Sequence, residues 1–129
     1  KFLKKIKFVQ DDISISRKNV FRGFHGDFKT FKLTSCICGK MIFFFIDNRK
    51  EKISFGKLLK YEVSDKKIVQ FLVPPGIGMA TLTKSEFSYL SYKQSKYYDR
   101  KSQFTIKLKN LNKIIKYLPK NLVLSKRDK

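Results

Sequence analysis

One histidine stands out among the residues that could do chemistry in this chain. His25 is the only histidine of 129 residues, and it ends the segment Val-Phe-Arg-Gly-Phe-His at positions 20–25. Imidazole is the side chain best suited to accept a proton at neutral pH. A lone histidine is more often structural than catalytic, so its value as a base depends on the residues that surround it.

The two cysteines of the chain, Cys36 and Cys38, do not complete a metal site. Alternation along a strand points both to one face and gives no geometry for a mutual disulfide. One histidine and two thiols do not make a tetrahedral zinc site, and a cupin-type metal enzyme needs several imidazoles. We therefore predict no metal and no other cofactor. We interpret both cysteines as reduced, buried residues of a cytoplasmic protein.

The composition predicts one folded domain over residues 1–129. Apolar residues make up 42% of the chain, which includes 13 Phe and 6 Tyr, and this is too apolar for a disordered chain. The longest apolar run, residues 41–46, is far too short to cross a bilayer, and the sequence shows no signal peptide. We therefore expect no membrane partner.

The net charge of +20 is extreme for this length, and the basic residues are spread along the whole chain. Such a charge is typical of a solvated lysine-rich surface, and it also attracts polyanions or phosphorylated small molecules. A basic polyanion-binding module without catalysis is therefore one alternative function. Nucleic-acid binders concentrate their basic residues on one face, which this sequence does not reveal, so we do not expect a nucleic-acid partner.

Short runs rich in Ile, Val, Phe and Tyr recur between turn signals and predict an all-β sandwich or barrel. These candidate strands lie at residues 6–10, 31–37, 41–46, 58–63, 69–73, 79–82, 87–92 and 104–108. Residues 112–118 are ambiguous, because their apolar spacing fits one face of a helix but Pro119 limits such a helix to about two turns.

Five stretches, in the same order along the chain, resemble the dTDP-4-dehydrorhamnose 3,5-epimerase family. Residues 8–11 and 18–25 resemble "FVQDN…KNVLRGLH", 46–50 with 54–56 resemble "VDIRK…TFG", 73–76 resemble the start of "IPEGFAHGF", 92–98 resemble "YKCTDYY", and 124–128 resemble "LSxKD". Together they span residues 7–128. The resemblance implies a cupin-like jelly roll, in agreement with the strand pattern, and a homodimer.

The family inverts carbons that flank the ketone of a nucleotide-linked 4-keto sugar, so the resemblance implies epimerisation at C3, at C5 or at both. The reaction needs a base, a cation at the ketone oxygen and an acid on the opposite face. His25 matches the family's base, and Asp128 matches the carboxylate that orients it. Lys32 falls at the lysine of "GKLV", beside the enolate oxygen. Tyr98 matches the acid, and strand geometry would send the neighbouring Tyr97 to the other face.

Three further positions match residues that contact the substrate. Arg22 matches the family arginine and suits a diphosphate or sugar oxygens. Because residues three apart on a strand face opposite sides, we expect a bulge or bend near Gly23 that lets Arg22 reach the same pocket as the base. Gln10 and Arg49 also match, although Arg49 could instead be a surface ion-pair residue near Asp47.

The chain also departs from the family pattern. Met79 replaces the histidine of "FAHGF", Leu108 replaces the tryptophan of "GIRW", and Gly26 and Asp27 follow the base where the family has "YQ". We expect the family's N-terminal segment, which supplies strands and an arginine contact across the dimer, to be nearly absent. These departures keep a second hypothesis open, a degenerate jelly roll that binds a sugar nucleotide without turning it over.

Overall fold

In a computed structural model that describes residues 3–129, the chain forms ten β-strands joined mostly by tight turns. The strands are β1 (Gln10–Arg17), β2 (Val20–Asp27), β3 (Lys32–Cys38), β4 (Lys40–Asp47), β5 (Leu58–Ser64), β6 (Gln70–Val73), β7 (Ile77–Thr83), β8 (Phe87–Gln94), β9 (Gln103–Thr105) and β10 (Val123–Leu124). Short 3₁₀ helices occupy Leu3–Lys5, Arg100–Ser102, Leu108–Asn110 and Asn112–Tyr117. Within residues 3–129, no helix is long and apolar enough to span a membrane.

The strands are divided between two mostly antiparallel sheets. The first sheet has the order β1-β8-β3-β6, and the second has the order β10-β2-β7-β4-β5, with β9 pairing to β2 at its edge. Apart from β4 and β5, neighbours in each sheet are not consecutive in sequence, and the eight strands β1 to β8 follow the order of a double Greek key. The structure therefore confirms the predicted jelly roll.

The central strand β4 is buried on both of its faces. Phe43 and Phe45 point between the two sheets and contact Phe71. Phe44 points the other way, into a second core that the C-terminal segment covers with Ile114. Because a strand alternates its side chains, two covered faces require apolar residues at successive positions. This explains why residues 41–46 form the longest apolar run of the chain.

The first two strands differ from the sequence prediction. The strand predicted at residues 6–10 is wrong, because β1 begins at Gln10 and continues to Arg17. On β1 the polar residues, such as Ser14 and Ser16, face inward, while Ile13 and Ile15 face outward and are exposed. This reverses the usual pattern of apolar side chains facing inward. The strand β2 was not predicted, because glycines and charged residues interrupt its apolar positions.

Two other predictions need adjustment. The strand expected at residues 104–108 is only Gln103–Thr105, and Leu108 already begins a 3₁₀ helix. The helical stretch predicted at residues 112–118 is the six-residue 3₁₀ helix Asn112–Tyr117. Its Ile114 is fully buried, as the apolar spacing indicated.

The prediction that both cysteines are buried is wrong for Cys38. The strand β3 has an irregular register against β8, where Cys36 lies opposite Leu90 and Cys38 lies opposite the adjacent Tyr89. One extra residue on β3 breaks the alternation that the prediction assumed. Cys36 is buried, which raises the pKa of its thiol, whereas Cys38 is exposed. Both thiols are free.

The double burial of β4 predicts that neighbouring phenylalanines are both essential to stability. We expect Phe43→Ala and Phe44→Ala each to lower the free energy of unfolding by about 3–5 kcal/mol, because each leaves a cavity in a different core. Phe55→Ala, at an exposed position in a turn, should change it by less than about 0.5 kcal/mol. Urea denaturation measures all three values. A neutral result for either Phe43→Ala or Phe44→Ala would show that one face of β4 is open to solvent.

Candidate active site

The strand β2 carries His25 into a cavity between the two sheets. Its pairing with β7 shifts register between Arg22 and His25, so both side chains line the same cavity. Gly23 lies in this irregular stretch with a φ of 125°, and a Cβ there would come within 2.5 Å of the Met79 carbonyl oxygen. Only glycine fits this position. The bend expected near Gly23 is therefore confirmed.

The C-terminal strand β10 brings Asp128 to His25 across 103 positions of sequence. β10 pairs in parallel with β2, with Val123 opposite Val20, and a turn from Ser125 then places Asp128 beside the ring. Asp128 Oδ1 lies 2.6 Å from His25 Nε2, and Ser125 Oγ donates a hydrogen bond of 2.9 Å to Oδ2. The predicted contact between these two side chains is present.

Burial sets the protonation state of His25. The Asp128 side chain is 2% exposed and that of His25 is 28% exposed. Burial lowers the pKa of His25, and the positive charges of Arg127 and Lys32 act in the same direction, while the Asp128 hydrogen bond and charge oppose them. A lowered pKa keeps the imidazole neutral at neutral pH. The carboxylate accepts the proton of Nε2, so the lone pair of Nδ1 is the one that can act as a base.

The cavity around His25 has a volume of about 230 Å³ and a strongly cationic wall. Its lining consists of Ser14, Arg22, His25, Lys32, Met79, Thr81, Leu90, Tyr92, Gln94, Tyr98, Gln103 and Arg127. Lys32 begins β3, and burial lowers the pKa of its ammonium group while Asp27 and Asp12 oppose that shift. Such a site can take a proton from a carbon acid and stabilise the negative charge that forms.

The sequence of the whole chain, residues 1–129, matches the profile of the family described as dTDP-4-dehydrorhamnose 3,5-epimerase. The chain therefore belongs to the dTDP-4-dehydrorhamnose 3,5-epimerase family. The resemblance of the five sequence stretches is thereby confirmed.

Curated family members show clear similarity to most of the chain. The dTDP-4-dehydrorhamnose 3,5-epimerase of Salmonella typhimurium is 35% identical over 106 residues, which are 80% of this chain and 58% of that protein. The Escherichia coli protein of the same name is 34% identical over 100 residues, or 75% of this chain and 54% of that protein. The matched region thus covers less than two thirds of either relative.

Solved structures of family members have the same fold. The dTDP-6-deoxy-D-glucose-3,5-epimerase of Legionella pneumophila, in complex with dTDP-4-keto-L-rhamnose, has a TM-score of 0.88 and 29% identity, covering 96% of this chain and 68% of that one. The dTDP-4-dehydrorhamnose 3,5-epimerase of Elizabethkingia anophelis has a TM-score of 0.85 and 33% identity, covering 95% of this chain and 70% of that one.

Tyr98 lines the cavity from a loop. β8 ends at Gln94, so the expectation that a strand orients Tyr97 and Tyr98 to opposite faces is wrong. The loop nevertheless separates them, since Tyr98 lines the cavity while Tyr97 is not part of its wall and is 72% exposed. Gln10 also lies outside the lining, and its Oε1 accepts a hydrogen bond of 3.0 Å from the Tyr98 backbone N–H. Gln10 therefore fixes the Tyr98 backbone.

The structure does not bring Arg49 to His25. Arg49 makes a two-point contact with Asp47, through Nε at 2.9 Å and Nη2 at 2.7 Å, and it lines a separate groove between β5 and β6. The guanidinium and a Ser54 hydrogen bond hold the pKa of Asp47 well below its usual range. Arg49 is thus the ion-pair residue that the sequence left open as the alternative.

Sequence reasoning missed several residues of the cavity wall, among them Arg127, Tyr92 and Gln103. Arg127 lines the cavity and donates a hydrogen bond to Thr105 Oγ1 on β9. Its position directly before Asp128, in the motif at residues 124–128, could have indicated that it lies at the site. Tyr92 opens the motif at residues 92–98, but its place on an inward-facing position of β8 was not considered. Gln103 carried no signal, because its role depends on the pairing of β9 with β2.

Met79 occupies the cavity wall directly across the β2–β7 pair from His25. This is the position where the family pattern has a second histidine. A thioether is at most a weak acceptor and donates no hydrogen bond. Among residues 3–129, no group of three or more His, Cys, Asp or Glu side chains is arranged to hold a metal ion.

The lone histidine makes the electrostatics of the pair directly measurable. We expect Asp128→Asn to lower the His25 pKa further, because it removes the charge that favours the imidazolium. Arg127→Gln, at the adjacent position, should raise the His25 pKa because it removes a repelling positive charge. Titration of the His25 ring signals by NMR measures both shifts. An unchanged titration in Asp128→Asn would contradict the pairing.

Proposed function

We propose that this chain is an isomerase that epimerises a nucleotide-linked 4-keto sugar at C3, at C5 or at both carbons. The main support is the His25–Asp128 pair, which lies in one cavity with Lys32 and Tyr98. A neutral imidazole oriented by a buried carboxylate can remove a proton from a carbon next to a ketone. No metal or organic cofactor is needed for this step.

We assign each proton and charge of the reaction to a residue. His25 Nδ1 takes the proton from the carbon beside the ketone, and the electron pair of the C–H bond forms an enolate. The Lys32 ammonium stabilises the negative charge on the enolate oxygen. The Tyr98 hydroxyl then delivers a proton to the opposite face of the same carbon. Exchange with solvent returns the proton to Tyr98 and removes the proton from His25.

The positive charge of the cavity wall suits an anionic substrate. Arg22 and Arg127 line the cavity together with Lys32. Arg22 is oriented by a hydrogen bond of 2.8 Å from its Nε to Ser16 Oγ on β1. A guanidinium fits two phosphate oxygens, and positive charge in a cleft raises the rate of encounter with an anion. The Legionella relative holds dTDP-4-keto-L-rhamnose, so a dTDP-linked 4-keto sugar is the first substrate to test.

Met79 favours a second candidate, a sugar-nucleotide binder that no longer turns over its ligand. Without the histidine of the family pattern, Lys32 has less help in stabilising the enolate. A basic polyanion-binding role is a separate alternative, and one observation supports it. A single surface depression beside Tyr117 is lined by four lysines, Lys57, Lys60, Lys113 and Lys116.

Exchange of substrate protons for solvent deuterium tests the assigned roles. His25→Ala should abolish exchange at every carbon, because proton removal starts the reaction. Tyr98→Phe should slow net inversion by about 10²–10⁴-fold and affect exchange less, since His25 can return a proton to the face it came from. NMR of a panel of 4-keto nucleotide sugars in D₂O reports both rates.

Tyr97→Phe is the matched control, because Tyr97 lies outside the cavity wall and should leave both rates unchanged. Binding without any exchange in the wild-type protein would favour the degenerate binder. Inversion at the wild-type rate in Tyr98→Phe would show that another residue is the acid.

We also propose that the chain forms a homodimer in the cytoplasm. The outer face of the first sheet supports the dimer, because Ile13 and Ile15 on β1 are 63% and 54% exposed and lie beside the exposed Phe87 and Tyr89 on β8. An apolar patch of this kind on a sheet face is typical of a protein–protein contact.

The free thiols of Cys36 and Cys38 support the cytoplasmic location, because the cytoplasm is a reducing compartment.

Charge placed on this face should separate the subunits. We expect the wild-type protein to sediment as a dimer and the double variant Ile13→Lys, Ile15→Lys to sediment as a monomer, because lysine ammonium groups are costly to bury at an interface. Ile53→Lys, at a fully exposed turn position, is the control and should remain dimeric. Analytical ultracentrifugation distinguishes these cases. A dimeric double variant would place the interface elsewhere.

A further inference from the structure

Asp27 is a buried carboxylate that the proposed mechanism does not use. It ends β2, two residues after His25, and is 3% exposed. Taking a carboxylate out of water is costly unless hydrogen bonds and nearby positive charge compensate. The family pattern has an uncharged glutamine at this position, in "HYQ". The negative charge therefore distinguishes this chain from the pattern, and its surroundings indicate what it does.

The hydrogen bonds of Asp27 fasten the segment that carries Tyr98 to the strand that carries His25. Oδ2 accepts hydrogen bonds from Ser102 Oγ at 2.9 Å and from Gln103 Nε2 at 2.7 Å. Oδ1 accepts a bond of 2.7 Å from the backbone N–H of Lys29. Gln103 itself lines the cavity, and Tyr98 lies five positions before it.

The charge of Asp27 also acts on Lys32. Burial lowers the pKa of Lys32, and among the opposing charges Asp27 acts more strongly than Asp12. The positive charge of Arg127, in the C-terminal turn, has the opposite effect and lowers the pKa of Lys32. His25 carries a like charge only when it is protonated. Lys32 must keep its charge to stabilise an enolate, and Met79 offers no help.

We propose that Asp27 is a positioning residue, whose carboxylate holds the Tyr98–Gln103 segment against β2 through hydrogen bonds and whose negative charge also favours the ammonium form of Lys32. This inference rests on the proposed epimerase function for its effect on the reaction. The structural part of the proposal concerns residues 27, 32, 102 and 103, and it can be tested without any substrate. Charge and hydrogen bonding can be separated by substitution.

Asp27→Asn removes the charge and keeps the shape. The asparagine oxygen can accept from Lys29, and its amide can donate to Ser102 Oγ and to a flipped Gln103 amide. We expect Lys32 to titrate at a lower pH in this variant than in the wild type. The lysine ¹³Cε signals measure this by NMR, with the Lys32 signal assigned as the one lost in Lys32→Arg. Asp99→Asn, an exposed position on the same segment, should leave the titration unchanged.

Ser102→Ala tests the hydrogen bonds with the charge retained. It removes one bond to Asp27 at a buried residue that does not line the cavity. We expect Lys32 to titrate as in the wild type, while kcat falls because Tyr98 is held less firmly. Asp27→Ala removes both contributions, and kcat should fall by about 10²-fold with a smaller change in KM. Should Asp27→Ala fail to fold, Asp27→Asn and Ser102→Ala still decide the two parts.

The pH profile links these changes to the reaction. In Asp27→Asn the alkaline limb of kcat/KM should move to lower pH, in step with the Lys32 titration. An unshifted Lys32 titration in Asp27→Asn overturns the proposal, whatever the activity. A wild-type protein that exchanges no proton of any 4-keto sugar would instead overturn the proposed function, and the Lys32 titration would still decide the role of Asp27.

Discussion

The site depends on one hydrogen bond, between His25 and Asp128, whose positions are far apart in sequence. Asp128 is almost removed from water, and a carboxylate in that position requires hydrogen-bond donors and a compensating charge. His25 and Ser125 supply the hydrogen bonds. The pair forms only when β10 lies along β2, so packing of the C-terminus and assembly of the base are one event.

The same packing builds the second hydrophobic core. The C-terminal segment covers the outer face of the second sheet, where Ile114 and Leu108 meet Phe44 and Phe21. Apolar burial there stabilises the segment, and the segment in turn presents Arg127 to the cavity and Asp128 to the His25 ring. Arg127 and Asp128 therefore lie on a segment that hydrophobic contacts hold in place.

Opposing charges keep the cavity in a usable protonation state. Burial and two cations lower the pKa of His25, which favours the neutral base, while Asp128 limits that effect. Lys32 experiences the same burial and is supported by Asp27 and Asp12. A neutral His25 and a charged Lys32 can thus coexist in one small cavity, because Asp128 acts on His25 and Asp27 acts on Lys32. The proposed chemistry needs these two protonation states.

The sequence by itself determined most of the jelly roll and the identity of the central site residues. Apolar runs such as residues 41–46 and their turn signals predicted strands, because β-strands buried in a sandwich need apolar side chains. The family motifs predicted that His25, Tyr98 and Asp128 share one site, and the match of Lys32 to the lysine of "GKLV" added the fourth residue.

Tertiary structure decided what depends on contacts across the fold. β1 was missed because its polar face lines the cavity, and Cys38 was exposed by an irregular register. Arg49 contacts Asp47 and not the cavity around His25. Asp27 accepts a hydrogen bond from a segment 75 positions away, and hydrogen bonds between distant residues leave no local pattern in a sequence.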